Sequence, residues 1–105
     1  MKELNVLIDD KELEKLFTTG TSKKLALPAD IAEKFFATVQ KIESAKNIYD
    51  LWADSGLKFE KLRGKGNYYS MRLSKKYRLV MEVLWQNEKK TLGEFILKTI
   101  SNHYS

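Results

Sequence analysis

The chain has 105 residues, a formal net charge of +5, 43% hydrophobic residues and no cysteine. This length and composition predict a single folded domain over residues 1–105, and they exclude a disulfide framework, a thiolate metal site and a cysteine nucleophile. Because the N-terminal residues lack the apolar segment of a signal peptide and no apolar run approaches the roughly 20 residues that span a bilayer, we expect a cytoplasmic protein without membrane contact.

The first half of the sequence predicts one strand and two helices. An apolar run, Leu4–Ile8, indicates the strand, and the helical spacing of apolar residues over 10–18 predicts the first helix, which Gly20 is placed to end. Pro28 stands just ahead of a longer segment whose apolar residues repeat every three or four positions, which predicts the second helix. These apolar residues are Ile31, Phe35, Val39 and Ile42. A short helical turn is expected at 48–52.

The second half alternates between apolar and polar residues, which is the period of β-strands. Strands are predicted over 67–74 and 77–85, and 91–100 is apolar on both faces, as expected of a central strand. The order of these elements predicts an α+β fold, in which an N-terminal strand and two helices pack on a mainly antiparallel, curved sheet.

Positive charge is concentrated in residues 58–78, which we call the basic segment. It holds eight of the nineteen Lys and Arg residues and one acid, for a net charge of +7, whereas 1–57 carry −2 and 79–105 carry zero. Such a local patch attracts polyanions, nucleic acid above all. The plain alternative is a solvated surface, which we favour for Lys75 and Lys76 at the tip of the predicted hairpin. The candidates for contact with RNA are Lys58, Lys61, Lys65, Tyr68 and Arg72.

One register of the predicted hairpin suits both of its strands. A three-residue loop pairs Met71 with Leu79 and brings the apolar residues of both strands to one face. The same register sets Arg72 directly across from Arg78 on the other face, where the two charges repel each other unless an anion lies nearby, so we expect a phosphate there. The only acid of the basic segment, Glu60, is a candidate salt-bridge partner for the bases next to it in the sequence.

Four short motifs occur in order along the basic segment and the C-terminus. They are Leu62-Arg63-Gly64, the alternating stretch 66–70, Tyr77-Arg78-Leu79 and the terminal pair His103-Tyr104. In this order and spacing, and together with the chain length and the sequence of helices and strands, they resemble the HigB-like branch of the RelE/ParE superfamily of bacterial toxins.

The resemblance implies a RelE-like fold and the toxin of a type II toxin–antitoxin system, a ribosome-dependent mRNA endonuclease that uses no metal and no cofactor. In the implied reaction, the 2′-OH of one nucleotide attacks the adjacent phosphorus and expels the 5′-oxygen. Arg78 matches the arginine that stabilises the transition state, and Arg63 stands where the family has a basic loop residue near the scissile phosphate. His103 or Tyr104 is implied as the proton shuttle.

Two positions depart from the pattern of the family. HigB-like proteins often have a histidine ahead of the motif that contains Arg63, where this chain has Glu60. The terminal pair reads His-Tyr where the common order is Tyr-His, and because successive strand residues face opposite sides, the swap could turn His103 away from the site and leave Tyr104 in place. The assignment of acid and base therefore stays open, whereas the assignment of Arg78 does not depend on it.

The implied partners are a cognate HigA-like antitoxin protein, the ribosome and mRNA. Binding through phosphates predicts an affinity that falls steeply with salt. Two other functions stay open: a ParE-like toxin that inhibits DNA gyrase through protein contacts, and a non-catalytic RNA-binding homologue of such toxins. The basic hairpin together with the terminal pair His103-Tyr104 favours the nuclease, because a gyrase inhibitor has no evident use for a phosphate site.

Overall fold

The structure is a computed structural model that describes residues 4–102, so the predicted terminal pair His103 and Tyr104 lies outside the described residues. The described part contains three helices and five strands. In chain order they are β1 (Leu4–Ile8), α1 (Lys11–Thr19), α2 (Ala29–Ser44), α3 (Ile48–Ala53), β2 (Glu60–Lys61), β3 (Tyr68–Arg72), β4 (Tyr77–Trp85) and β5 (Gly93–Asn102). None of these helices is both long and apolar enough to cross a membrane.

The five strands form one mixed sheet in the order β1-β5-β4-β3-β2. β1 runs parallel to β5, and the other neighbouring pairs are antiparallel. The α+β prediction is confirmed, and β5 lies between two other strands, as its two apolar faces predict. The two-residue strand β2 is not predicted from the sequence, and the helical turn expected at 48–52 is the six-residue helix α3.

Two capping residues set the ends of α1. Asp10 has an extended backbone, with φ of −156°, and its carboxylate accepts hydrogen bonds from the amides of Glu12 and Leu13 at 2.9 and 3.0 Å. The helix therefore begins at Lys11, one residue after the predicted start. Gly20 ends it as predicted, with a left-handed φ of 82° that residues with a side chain rarely adopt.

The hydrophobic core lies between the helices and one face of the sheet. The four periodic apolar residues of α2 are all at most 4% exposed, which confirms the predicted helix. Alternate residues of β3 and β4 enter the same core, among them Met71, Leu79 and Met81 at 0% exposure. Tyr69 is buried with them, and its hydroxyl accepts a hydrogen bond from Trp85 Nε1 at 3.3 Å. Tyr69 therefore belongs to the core, as its position in the alternation predicts.

The register of the hairpin is as predicted, with Met71 paired to Leu79 and Arg72 paired to Arg78. In this register the buried residues of β3 and β4 lie on one side of the sheet, and the remaining residues lie on the side away from the core, which we call the open face. On β3 and β4 the open face carries Tyr68, Ser70, Arg72, Arg78, Val80, Glu82 and Leu84. Both arginines of the predicted site therefore lie on one surface.

The pairing of β4 with β5 contains one bulge. Val80 pairs with Thr99, but the next residue, Met81, pairs with Leu97, which leaves Lys98 as an extra residue in β5. A bulge of this kind shifts the alternation of the strand beyond it by one position. Consequently Thr99 lies on the open face beside Val80, whereas Leu97 and Met81 stay in the core.

The buried hydroxyl of Thr38 predicts a stabilising substitution. Thr38 in α2 is 0% exposed, and its Oγ1 has no hydrogen-bond partner in the part of the chain that the structure describes. Thr38→Val replaces the hydroxyl with a methyl group of similar size, so no hydrogen bond is lost and the cost of burying an unpaired polar group disappears. We expect the free energy of unfolding, measured by urea denaturation, to rise by about 1 kcal/mol.

Ser22→Ala is the control for this substitution. The Ser22 hydroxyl is also buried, but it donates to the Glu12 carboxylate at 2.8 Å. Its removal should lower the free energy of unfolding by about 1 kcal/mol. A loss of stability in Thr38→Val as large as that in Ser22→Ala would contradict the prediction.

Candidate active site

Arg78 is held by acceptors from three segments of the chain. Its Nε donates to Ser70 Oγ at 2.9 Å, and its Nη2 donates to the backbone oxygen of Lys58 at 2.9 Å. The same Nη2 lies 3.1 Å from Glu60 Oε1. The Arg78 side chain is only 14% exposed, and among residues 4–102 its Nη1 has no partner. The guanidinium is therefore fixed in orientation and keeps one edge for a ligand.

Strand pairing brings these acceptors together. Glu60 on β2 pairs with Ser70 on β3, so both side chains lie on the open face with Arg78. Ser70 is 1% exposed, which makes its hydroxyl a fixed acceptor. Lys58 has a φ of 46°, in the left-handed region that residues with a side chain rarely adopt. In this conformation its carbonyl oxygen accepts the hydrogen bond from Arg78 Nη2. A strained residue of this kind is common at functional sites.

Glu60 is the anion beside Arg78. The sequence suggests a salt bridge between Glu60 and its neighbours Lys61 or Arg63, and this is wrong, because β2 directs the carboxylate to Arg78 on another strand. The carboxylate relieves part of the repulsion between Arg78 and Arg72, which the sequence assigns to a bound phosphate. The Glu60 side chain is 60% exposed, so it has room to turn into solvent when a phosphate approaches.

The other bases of the basic segment have no carboxylate partner within the described part of the chain. These seven are Lys58, Lys61, Arg63, Lys65, Arg72, Lys75 and Lys76. Lys98, by contrast, lies 2.9 Å from Asp9 and 3.7 Å from Glu82. Its hydrogen bond to Asp9 raises the pKa of the Lys98 ammonium. The basic segment therefore retains a large net positive charge in the folded protein.

Arg63 and Lys65 lie on an exposed loop that joins β2 to β3. The Leu62 amide donates to the Tyr68 oxygen at 2.9 Å, which closes the loop. Gly64 and Gly66 within it both have left-handed backbones, with φ of 69° and 58°. Glycine adopts such angles without steric cost, so the two glycines define the path of the loop and hold its basic side chains beside the sheet.

The predicted site residues do not all lie on the same face. Tyr68 and Arg72 share the open face with Arg78. Lys61 pairs with Tyr69, whose side chain is in the core, so Lys61 is directed to the opposite side of the edge strand. Ser70 accepts a hydrogen bond from Arg78 and joins the candidate site, although the sequence does not predict it there. Its position in the polar half of the alternation is a signal, but the near-complete burial of its hydroxyl depends on Arg78.

A groove of about 610 Å³ lies on the open face beside these residues. Its lining residues are Leu62, Lys65, Tyr68, Val80, Thr99 and Ser101. No group of three or more His, Cys, Asp or Glu side chains in residues 4–102 is arranged to hold a metal ion. The chemistry that the described residues offer is therefore a fixed cation, one adjacent carboxylate and a basic, partly apolar surface.

Comparison with known proteins gives the family. The sequence model of the RelE-like toxin of the type II toxin–antitoxin system HigB matches residues 7–93, a segment that contains Glu60, Ser70 and Arg78. The chain belongs to this HigB-like toxin family. The predicted resemblance is confirmed, and as a type II toxin the protein has an antitoxin as partner. Toxins of this family are generally endoribonucleases.

A solved structure provides an independent comparison of the fold. The YoeB/ParE toxin from Agrobacterium tumefaciens is 21% identical in sequence and superposes with a TM-score of 0.56, over 99% of this chain and 100% of that one. At this identity the likeness shows the fold alone, and it confirms the predicted RelE-like architecture. No curated protein sequence matches the chain.

The backbone of Lys58 predicts an unusual response to glycine. Glycine adopts a φ of 46° without strain, so Lys58→Gly should raise the free energy of unfolding by about 0.5–1 kcal/mol. Lys61→Gly, which removes the same charge from the extended edge strand β2, should instead lower it by about 0.5–1 kcal/mol. Urea denaturation of both variants measures the difference. Equal losses of stability in the two would show that the Lys58 backbone is not strained.

Proposed function

We propose that this HigB-like toxin is a ribosome-dependent mRNA endonuclease that needs no metal ion and no cofactor. The observation that carries the proposal is the guanidinium of Arg78, fixed by Ser70 and Lys58, with the Glu60 carboxylate 3.1 Å away. A preorganised cation next to a carboxylate, on a surface with unpaired positive charge, suits cleavage of a phosphodiester. The dependence on the ribosome, and a cytoplasmic location for the single domain, follow from the resemblance to the family.

The proposed reaction is an internal transfer within the RNA. The 2′-oxygen of one nucleotide forms a bond to the adjacent phosphorus, and the bond from phosphorus to the 5′-oxygen of the next nucleotide breaks. The 2′-OH proton passes to a base, and the departing 5′-oxygen takes up a proton. The product ends are a 2′,3′-cyclic phosphate and a 5′-OH. Because the nucleophile belongs to the RNA itself, the protein supplies only proton transfer and positive charge.

Arg78 supplies the positive charge in this proposal. Its Nε and Nη2 are engaged within the protein, so little reorganisation is needed when negative charge develops on the phosphate oxygens beside Nη1. Arg63, on the exposed loop, is proposed to reach the same phosphate. Both are arginines, whose planar guanidinium groups match phosphate oxygens better than an ammonium does.

Glu60 is proposed as the group that takes the 2′ proton. The Glu60 carboxylate lies 3.1 Å from Arg78 Nη2, so it is adjacent to a phosphate that contacts Arg78, and its side chain is 60% exposed, which lets RNA approach it. The resemblance implies His103 or Tyr104 as the proton shuttle, and in this assignment that residue donates the proton to the departing 5′-oxygen. The proposed acceptor then lies on β2, and the proposed donor belongs to the terminal pair that follows β5 in the sequence.

The remaining bases are proposed to position the RNA. Lys58, Lys65 and Arg72 have no ion pair within the described residues, so phosphates of ribosomal and messenger RNA would replace their water. Lys58 and Arg72 adjoin Arg78, the first by a backbone hydrogen bond and the second by strand pairing. Lys61 would reach RNA from the edge strand. The antitoxin, a HigA-like protein in this proposal, inhibits the toxin by covering this surface or by blocking its entry into the ribosome.

Replacement of Arg78 tests the nuclease directly. We expect induced expression of the wild type to arrest bacterial growth and to produce cuts in a translated mRNA, mapped by primer extension, and no cuts in the same mRNA without its start codon. Arg78→Ala should reduce cutting at least 100-fold, because it removes the fixed charge on the transition state. Lys76→Ala removes one positive charge from the exposed tip of the same hairpin and should leave cutting within about twofold.

Each alternative gives a different result in this experiment. Growth arrest without cuts would point to inhibition of gyrase, and absence of arrest would point to a binding protein. Cuts that persist in Arg78→Ala would remove Arg78 from the mechanism while keeping the nuclease.

Replacement of Glu60 tests the proton acceptor. Glu60→Gln keeps the shape of the side chain but cannot accept the 2′ proton, so we expect cleavage within toxin–ribosome complexes to slow by about 100-fold. Affinity for RNA should rise or stay unchanged, because a negative charge beside Arg78 is lost. Single-turnover cleavage at several toxin concentrations separates the rate from the affinity. Glu88→Gln, in an exposed turn, is the control and should cleave at the wild-type rate. Equal cleavage rates in Glu60→Gln and Glu88→Gln would contradict the assignment of Glu60 as the proton acceptor.

A further inference from the structure

The two edges of the sheet differ in length and in charge. β2 forms one edge with two residues, Glu60 and Lys61, and both side chains are charged and exposed. β1 forms the other edge with five residues, Leu4–Ile8, none of which is charged or is a proline. Sheet edges are usually protected against pairing with a further strand by shortness, by charge or by proline. The edge at β2 therefore has this protection, whereas the edge at β1 does not.

The outer side of β1 presents unpaired backbone groups. The Asp9 amide donates to the Leu97 oxygen of β5 at 3.0 Å, and every second residue before Asp9 points to β5 in the same way. The alternate residues have their amides and carbonyls directed away from β5, where no group within residues 4–102 pairs with them. These outward residues are Leu4, Val6 and Ile8.

The helices do not close over this edge. The side chains of Val6 and Ile8 pack against the core but stay partly exposed, although they lie on the helix side of the sheet. A further strand can therefore approach β1 in the plane of the sheet.

An apolar patch on the open face continues to the same edge. Leu7 is 51% exposed and Leu84 is 40% exposed. Ile96 lies between them, because it pairs with Leu7 on one side and with Glu82, two residues before Leu84, on the other. An apolar patch beside an unpaired strand is a feature of interaction surfaces.

The charges near β1 do not oppose the approach of a second copy. Asp9 and Asp10 follow the strand, but Asp9 lies 2.9 Å from Lys98 Nζ and Asp10 caps α1. The nearest part of the basic segment is the start of β4, and β5 separates it from β1. Two copies joined at β1 would hold their β4 strands five strand spacings apart, about 24 Å, which is beyond the roughly 8 Å screening length at physiological salt.

We propose that β1 is the interface of a homodimer, in which the β1 strands of two copies pair antiparallel about a two-fold axis at Val6. In this register Val6 faces its own copy and Leu4 faces Ile8, so every outward amide of β1 finds a carbonyl of the other chain. A register centred on Asn5 or Leu7 would leave one outward residue of each copy without a partner in β1. The proposal does not depend on the proposed nuclease function.

The β1 edge is complementary to itself, which is why a second copy is the occupant. Leu7 faces Asn5 of the second copy and lies diagonal to the second Leu7, so the two apolar patches join into one. The axis is perpendicular to the sheet, and both open faces therefore lie on the same side. The dimer leaves both copies of Arg78 accessible.

Sedimentation velocity over a range of protein concentrations tests the dimer. Two five-residue strands make a small interface, below about 1,200 Å², so we expect a dissociation constant of about 1–100 µM. Leu7→Glu introduces charges where the two patches meet and should raise that constant at least tenfold. Tyr49→Glu changes a 63% exposed side chain on α3 and should leave it within twofold. A wild type that stays monomeric at about 1 mM, or a dimer that Leu7→Glu does not weaken, would overturn the proposal.

Disulfide formation tests the register. The natural chain has no cysteine, so only introduced thiols can react. The proposed register sets Asn5 opposite Leu7 of the second copy as a non-hydrogen-bonded pair, whose Cα atoms are about 4.5 Å apart and within disulfide range. Asn5→Cys protein mixed with Leu7→Cys protein should cross-link at least tenfold faster than either variant alone, in which the thiols lie on diagonal positions about 7–8 Å apart. Equal rates would overturn the proposed pairing.

Amide hydrogen exchange distinguishes a second copy from other occupants of the edge. In the wild type, the Val6 and Ile8 amides should become at least fivefold more protected when the concentration rises from below the dissociation constant to about 100 times above it. Leu7→Glu should abolish this gain. Protection at every concentration would show that another part of the chain covers the edge. Protection found only in the complex with the antitoxin would assign the edge to the antitoxin, and either result would overturn the homodimer.

Discussion

A guanidinium that is 14% exposed must find its hydrogen-bond acceptors within the protein, and this requirement organises the open face. Arg78 lies on β4, yet its acceptors come from β3 and from the residues around β2. The short edge strand β2 is thus tied to the middle of the sheet through a side chain as well as through its backbone. The loop that carries Arg63 begins directly after β2, so its position depends on the same contacts.

The ion pair between Arg78 and Glu60 also distinguishes Arg78 from the other positive charges of the basic segment. Arg78 is compensated in the folded protein, because Glu60 lies beside it, whereas the exposed lysines around it are not. The charges that attract a polyanion are therefore different from the charge that would act on a phosphate at close range. Long-range attraction is weakened by salt, while the geometry at Arg78 is set by short hydrogen bonds and is much less sensitive to it.

The sequence predicts those features that depend on local periodicity. The long helix α2 and the register of the hairpin, with Arg72 opposite Arg78, both follow from the spacing of apolar residues, because a slip of one residue would expose half of them. The contact between Glu60 and Arg78 could not be predicted, since it depends on a two-residue strand with no periodic signal. The bulge at Lys98 also could not be predicted from the sequence, because β5 is apolar on both faces and a shift in its alternation leaves no pattern. The local pattern therefore placed the two arginines on one face, and long-range pairing determined the hydrogen-bond acceptors of Arg78.

The order of the strands has a consequence for how the toxin is made. β5 is the last strand within residues 4–102, yet it lies between β1 and β4, and its pairing with β1 begins where Leu4 lies opposite Gly93. Until β5 has left the ribosome, β1 has no neighbour in the sheet, and one edge of β4 is unpaired. Such non-local pairing is slow to form and cannot begin during most of synthesis. A nascent chain therefore cannot complete this sheet until β5 has emerged from the ribosome that translates it.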